Sequence, residues 1–170
     1  MCTKSFQKTI DFIVKDSDRP QMAVFDDFGV TYAWSPHQIL RTVEEIEESV
    51  FEKFLSHARD QWKDRLEELF NMEDGISHEE FAVPSVQELK SKIKDAKAGR
   101  RNARVAYALS ENVLVNAYYL LNALTATEVD RCYGSTRNKP VMFYGDNTQY
   151  LMLPIHNEGG LTVGEIKVIA

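Results

Sequence analysis

Apolar and polar positions alternate along this chain with two different periods. Phe6, Ile10 and Ile13 recur at i, i+4 and i+7 while Lys4, Lys8, Asp11 and Lys15 fall on another face, which predicts an amphipathic helix over 5–15. It ends before Asp18-Arg19-Pro20. Period two then takes over. Met22 to Phe25 and Val30 to Trp34 read as strands of a hairpin joined through Asp26-Asp27-Phe28-Gly29, since Val30, Tyr32 and Trp34 alternate with Thr31 and Ala33.

Residues 36–70 allow two readings. Their apolar positions permit one long helix from Pro36 onward. In the preferred reading, Gln38 to Ile46 is a strand and a new helix starts at the capping-box pattern Ser49-Val50-Phe51-Glu52. Val50, Phe51, Phe54, Leu55, Ala58, Trp62, Leu66 and Leu69 then form one apolar helical stripe running towards Gly75.

After the loop around Asp74-Gly75, the capping pattern recurs as Ser85-Val86-Gln87-Glu88, with Gly99 as a stop, so a helix is expected over 86–98. Arg104 to Leu109 and Asn112 to Val115 suit short strands. Asn116 suits an N-cap, and Ala117, Leu120, Leu121 and Leu124 give the buried face of a helix to about Ala126. Three antiparallel strands follow at Val129–Tyr133, Val141–Tyr144 and Gln149–Leu153, and Leu161 to Ile169 adds one more. The order repeats coarsely: a helix and three strands, then a strand, a helix and three strands, with a charged helical insertion over 49–99 inside a single domain of 170 residues.

Composition narrows the class. With 44% hydrophobic and 27% charged residues the chain can build a core, and no apolar run approaches the roughly 18 residues that cross a bilayer. No signal peptide is read at Met1-Cys2-Thr3-Lys4-Ser5, so the expected address is cytoplasmic, with no membrane partner. The net charge of -6 argues against a whole-protein electrostatic footprint for nucleic acid and leaves room for a local basic face. Charge is segregated, however: residues 43–80 hold thirteen acids and four bases, whereas 88–104 hold seven bases and two acids.

At the level of motifs the chain resembles the bacterial sliding clamp, the β subunit of DNA polymerase III. Val113-Leu114-Val115-Asn116-Ala117-Tyr118-Tyr119-Leu120-Leu121-Asn122-Ala123-Leu124 looks like that family's strand-to-helix run N-x-x-Y-L-L-D-A-L, and Tyr150-Leu151-Met152-Leu153-Pro154-Ile155 looks like its closing Y-x-x-M-P-[MV] strand. Nearer the start, Arg19-Pro20-Gln21-Met22-Ala23-Val24 resembles R-P-x-L-x-x-V, and Ala33-Trp34-Ser35-Pro36-His37-Gln38-Ile39 stands where the family has A-T-D-G-H-R-L. The resemblance covers 5–46 and 104–155. Departures accompany it: the terminal Arg-Leu of the family is His156-Asn157 here, and no first strand is read before Ser5. The segment Leu161–Ile169 is expected to fill that missing edge beside Met22–Trp34.

The resemblance implies an α+β, DNA-clamp-like domain of two β-α-β-β-β-type halves. It implies no catalysis, a role in DNA replication or repair, and double-stranded DNA, replication proteins and further copies of the chain as partners. A clamp's helices face DNA and neutralise phosphate without reading bases. Lys4, Lys8 and Lys15 share one helical stripe, and Lys90, Lys94, Lys97 and Arg101 share another at i, i+4, i+7 and i+11. The plain alternative is a solvated surface, or a basic helix paired with the acidic segment. Tyr118, Asn122 and Thr125, expected outward on the intervening helix, carry no charge. The family also captures partner peptides in an apolar pocket, for which His37, Ile39, Met152, Pro154 and Ile155 occupy matching motif positions; ordinary strand packing is the preferred reading of Met152 and Ile155, and a surface position that of His37.

Enzyme chemistry finds little support. Cys132 sits mid-strand with no histidine close in sequence, His57 and His78 lack metal-ligand spacing, and neither G-x-G-x-x-G nor G-x-x-x-x-G-K-[ST] occurs. No cofactor and no metal are expected. A clamp-fold interaction or regulatory module that leaves DNA alone is the competing reading.

Overall fold

The computed structural model describes residues 4–16, 21–25, 29–52, 56–57, 60–70, 79–134, 139–155 and 160–169. The expected turn at 26–28, the loop at 71–78 and His156-Asn157 lie outside the described residues, as does the side chain of Lys4.

The elements run α1 (Lys4–Asp16), β1 (Gln21–Phe25), β2 (Val30–Ser35), β3 (Gln38–Thr42), α2 (Glu48–Phe51), β4 (Ser56–His57), α3 (Asp60–Phe70) and β5 (Glu79–Ala82). They continue through α4 (Val86–Lys97), β6 (Arg104–Ala108), β7 (Leu114–Asn116), α5 (Ala117–Thr127), β8 (Arg131–Gly134), β9 (Val141–Tyr144), β10 (Thr148–Met152) and β11 (Ile166–Ile169). The architecture is α+β. Strands order as β4-β1-β2-β3-β10-β9-β8-β5 in a large sheet and β11-β6-β7 in a small one.

The two similar segments join at β3 and β10, which pair antiparallel with Leu40 opposite Tyr150 and Gln38 opposite Met152. Because strand side chains alternate between faces, this register sends Leu40, Tyr150 and Met152 inward. There they meet Phe6, Ile10 and Ile13 of α1 and Leu120, Ala123 and Leu124 of α5, with Leu89 and Ile93 of α4 completing the core. Ile39, Leu151, Tyr32 and Met142 face the other way, against Leu66 and Phe70 of α3. The large sheet therefore carries α1, α5 and α4 on one side and α3 on the other.

Local chemistry explains the helix ends. Ser85 accepts from the Glu88 backbone N–H at 3.2 Å, and Asn116 accepts from that of Tyr118 at 2.9 Å. The capping box at Ser49 does not form: α2 starts at Glu48, behind Glu47, with no side-chain cap. The long helix expected from Val50 through Leu69 is instead broken into α2, β4 and α3. Its interruption is a strand pairing, since Ser56 and His57 lie parallel to Gln21 and Met22 of β1. Residues 79–82 also form a strand, β5, with Phe81 opposite Cys132 of β8.

The last strand occupies a different place from the one expected. β11 pairs antiparallel with β6, Val168 opposite Val105, in the small sheet, and so does not sit beside β1. Edge position beside β1 belongs to β4. Lys92 of α4 helps hold this arrangement, donating to the Gly164 carbonyl at 3.1 Å ahead of β11.

Candidate functional site

The helix layer is ordered by two adjacent tyrosines at the start of α5. Tyr119 turns to α1, its ring edge-on to Phe12 at 5.9 Å and its hydroxyl donating to Asp16 at 2.7 Å. Tyr118 turns to α4, where the ammonium of Lys97 lies 5.4 Å from the ring centroid. The C-terminal ends of α1 and α4 thus flank the N-terminal end of α5. Lys15 and Lys97, in the last turns of their helices, sit where the helix dipole favours a cation.

Lys8 and Lys15 are exposed on α1, and Lys90 and Lys94 are exposed on α4. Among the described residues none of these four pairs with a carboxylate; the ion pair within α4 belongs to Lys92 and Glu88, 3.1 Å apart. Lys97 donates to the Arg101 carbonyl at 2.9 Å, which folds the turn after α4 and leaves the Arg101 side chain exposed. Acidic α3, with Asp64 and Glu68 exposed, packs on the opposite face of the sheet. Lys8 and Lys15 on α1 and Lys90 and Lys94 on α4 therefore share one layer, whereas Arg101 leaves the expected helical stripe because α4 ends at Lys97 with a left-handed cap at Ala98. Lys92 drops out of the free cations because it is committed to Glu88, Gly164 and the Tyr107 ring, 5.7 Å away.

The residues matched to a partner-peptide pocket do not converge on one cavity. Ile39 pairs across from Leu151, whereas Met152 pairs across from Gln38, so Ile39 and Met152 point to opposite faces of the sheet. Ile39 lines a cleft of about 320 Å³ beside α3, with Leu66, Leu69 and Leu151. Pro154 and Ile155 line a larger cleft of about 950 Å³ at the end of the helix layer. His37, exposed in the turn between β2 and β3, borders both. Met152 is fully buried in the main core and borders neither.

Beneath the larger cleft lies a polar network. Asp16 accepts from Ser35 Oγ at 2.6 Å and Gln38 Nε2 at 2.9 Å through one oxygen, and from Tyr119 through the other. Gln38 in turn accepts from the Tyr150 hydroxyl. Burial pushes the Tyr119 phenol up, and the hydrogen bond and charge of Asp16 push it further. Tyr150 is raised by its complete burial, then by the charge of Asp16. Asn122, expected outward on α5, instead buries its amide nitrogen.

Arg104 and Tyr118 reach the cleft but were not among the candidate residues. Arg104 was legible as the last cation of the basic run. Cys132 is fully buried, and desolvation drives its thiol pKa up, so the thiolate is disfavoured. Among the described residues no cluster of three His, Cys, Asp or Glu could hold a metal ion.

No protein-family profile matches the chain, and no curated protein matches it by sequence. Solved structures do match. The H. pylori beta clamp in complex with diflunisal superposes over 90% of this chain, with a TM-score of 0.54 and 14% identity. DNA polymerase III subunit beta from Borrelia burgdorferi, in complex with a natural product, superposes over 94%, with a TM-score of 0.52 and 11% identity. The fold is that of a sliding clamp. This clamp-like chain spans 63% and 64% of the lengths of those two proteins. Its likeness to them is one of backbone path, and the motif positions at Asn116 and Pro154 fall in α5's cap and just after β10. No helix among the described residues is long and apolar enough to cross a membrane.

Proposed function

We propose that this is a non-catalytic, sliding-clamp-like protein of DNA replication or repair, cytoplasmic, whose helix layer rests on the backbone of double-stranded DNA. The observation that carries the reading is that Lys8, Lys15, Lys90 and Lys94, exposed and without a carboxylate partner among the described residues, stand on the α1, α4 and α5 side of the sheet, interspersed with exposed Glu88 and Asp95, while acidic α3 packs on the other side. A protein of net charge -6 binds a polyanion only through such a local face. Lys4, Lys97 and Arg101 continue these runs of cations in the sequence. Such a face reads phosphates and not bases, so binding is insensitive to sequence.

Encirclement of a duplex by single clamp domains requires self-association, to about six copies if each contributes one domain. Replication proteins are the second class of partner, approaching through His37 and the clefts it borders. The deciding experiment titrates a labelled duplex at increasing salt, with molar mass measured in parallel. Affinity should fall steeply as salt rises. Salt-independent or absent binding by a stable monomer would sink the reading. It would leave a clamp-fold interaction module, which the exposed Asp64 and Glu68 of α3 favour by offering a basic partner a docking face.

A further inference from the structure

The outer face of the helix layer is not uniformly basic. Exposed Lys8 and Lys15 stand on α1 and exposed Lys90 and Lys94 on α4, while α5, packed between those two helices, presents half-buried Tyr118, Leu121 and Thr125, none of them charged. Phosphates of a duplex match the cationic flanks. The uncharged floor between the flanks has no counterpart on a phosphate backbone, whereas an apolar centre within a polar rim is the anatomy of a contact between proteins.

The same chain carries a surface of the opposite character. Residues 43–52 hold Glu44, Glu45, Glu47, Glu48 and Glu52 and no base. Buried Ile46 and Val50 anchor this segment and leave Glu45, Glu47, Glu48 and Glu52 exposed. Glu47, at the N-cap of α2, makes no side-chain cap, and among the described residues none of the five carboxylates is in an ion pair. Val43, 48% exposed, sets an apolar side chain beside them. Within one chain the segment does not cover the helix face: Glu44 borders a hollow with Thr127 and Glu128 at the C-terminal end of α5, about 14 Å along that helix from Tyr118.

We propose that the acidic segment 43–52 of a second copy seats on the helix layer of the first, where it stands in the way of a duplex. The competition rests on the DNA reading above; the contact between copies does not. Charge complementarity selects the occupant, carboxylates against the lysine flanks and Val43 against the α5 floor. Each copy has one such segment and one such face, so the contact is heterologous. It covers the helix face instead of leaving it open around a duplex.

The test follows the molar mass of the whole protein by sedimentation across protein concentration and salt. The mass should exceed the 19.5 kDa of one chain at about 0.01 M salt and return to it at about 1 M, as the screening length falls from about 30 Å to about 3 Å. Glu45→Lys, Glu47→Lys and Glu48→Lys combined should abolish association at low salt, and so should Lys8→Glu, Lys90→Glu and Lys94→Glu combined. Mixing the two reversed proteins should restore it, a result that misfolding does not imitate. Excess blunt duplex should disperse the unsubstituted assembly. Monomers at low salt, association that survives either set of changes, or failure to restore it on mixing overturns the proposal and leaves duplex binding untouched. Association that persists with duplex bound also overturns it, because the two then use separate faces. Restoration on mixing, with no duplex binding at any salt, supports the contact between copies and removes the duplex reading.

Discussion

The hydroxyl of Tyr119 donates to Asp16 Oδ1 at 2.7 Å, tying the first turn of α5 to the last residue of α1. Asp16 stands at a helix C-terminus, where the dipole disfavours a carboxylate, and its three hydrogen bonds offset that placement. Hydrogen bonds to a charged group contribute about 1.5–3 kcal/mol each. Tyr119→Phe, which keeps the ring against Phe12, should therefore lower stability by about 2 kcal/mol in chemical denaturation. Asp16→Ala should cost more, because Ser35, Gln38 and Tyr119 all lose their acceptor. Equal stability of Tyr119→Phe and the unsubstituted protein would show that the bond contributes nothing net.

The same pair sets a pH limit. The phenol pKa of Tyr119 is raised by burial first and by Asp16 second, so the folded state favours the neutral form. A raised pKa stabilises the fold fully below the unfolded value of about 10 and loses that contribution as pH climbs above it. Tyr150, raised by burial, acts in the same direction. Urea midpoints should stay level with respect to these groups up to about pH 9 and fall above about pH 10. The fall should be shallower in Tyr119→Phe, which has one fewer buried phenol to ionise. An identical alkaline slope in both proteins would count against the assignment.

The lysines of α4 separate by task although they are adjacent in sequence. Lys90 and Lys94 have no carboxylate partner among the described residues, whereas Lys92 links Glu88 to the Gly164 carbonyl. Each phosphate neutralised contributes about -0.9 to the slope of log affinity against log salt. Lys90→Glu with Lys94→Glu should make the slope shallower by about two and weaken duplex binding at low salt, with stability unchanged. Lys92→Gln should do the reverse, loosening the segment before β11 with little effect on duplex affinity. Equal effects of the two changes on binding would argue that no specific face exists.

Much of this arrangement is written in local pattern, and the parts that are not depend on pairing between distant segments. α1, α4 and α5 follow from spacing and from the caps at Ser85 and Asn116, which act within a few residues. Residues 50–69 carry an equally good helical stripe, yet Ser56 and His57 add to the edge of β1, more than 30 residues away in sequence. β11 likewise obeys a strand pattern but has β6, and not the N-terminal hairpin, as its partner. The candidate cleft was half legible for the same reason. Three of its cations, Lys97, Arg101 and Arg104, stand in one basic run, but Lys15 comes from α1, and that Ile39 and Met152 face opposite ways depends on the register between β3 and β10.

Among the described residues, α3 is attached to the sheet through a small apolar cluster. Leu66 and Phe70 are buried against Tyr32, Ile39 and Leu151, and the rings of Tyr32 and Phe70 lie 5.8 Å apart. Leu→Ala in a packed site costs about 2–5 kcal/mol. Leu66→Ala should fall near the lower end, since α3 lies at the surface and can settle. Amide exchange should quicken in α3 more than in β3, which stays held by β2 and β10. Uniform quickening through both elements would show that α3 unfolds only with the whole protein.

Gly145 fixes how closely β9 and β10 approach the end of α5. Its N–H donates to the Thr148 carbonyl at 2.9 Å, closing the turn between the two strands. A Cβ at this position would stand 2.5 Å from the Thr127 carbonyl oxygen, 2.9 Å from that of Thr148 and 3.0 Å from the Thr127 Cα. All three neighbours are backbone, so no side chain can swing aside to make room. Thr127 is itself held, its hydroxyl donating to the Ala123 carbonyl at 2.6 Å. Gly145→Ala must therefore push the end of α5 away from the turn, and overpacking of this kind costs about 1–3 kcal/mol. A shifted α5 would carry Tyr119, near its other end, and so load the hydrogen bond from Tyr119 to Asp16 of α1. Thermal denaturation should show the loss, and duplex binding measured well below the transition should be retained if the helix layer moves as a unit. A Gly145→Ala protein as stable as the unsubstituted one would show that the end of α5 yields to the added methyl without cost.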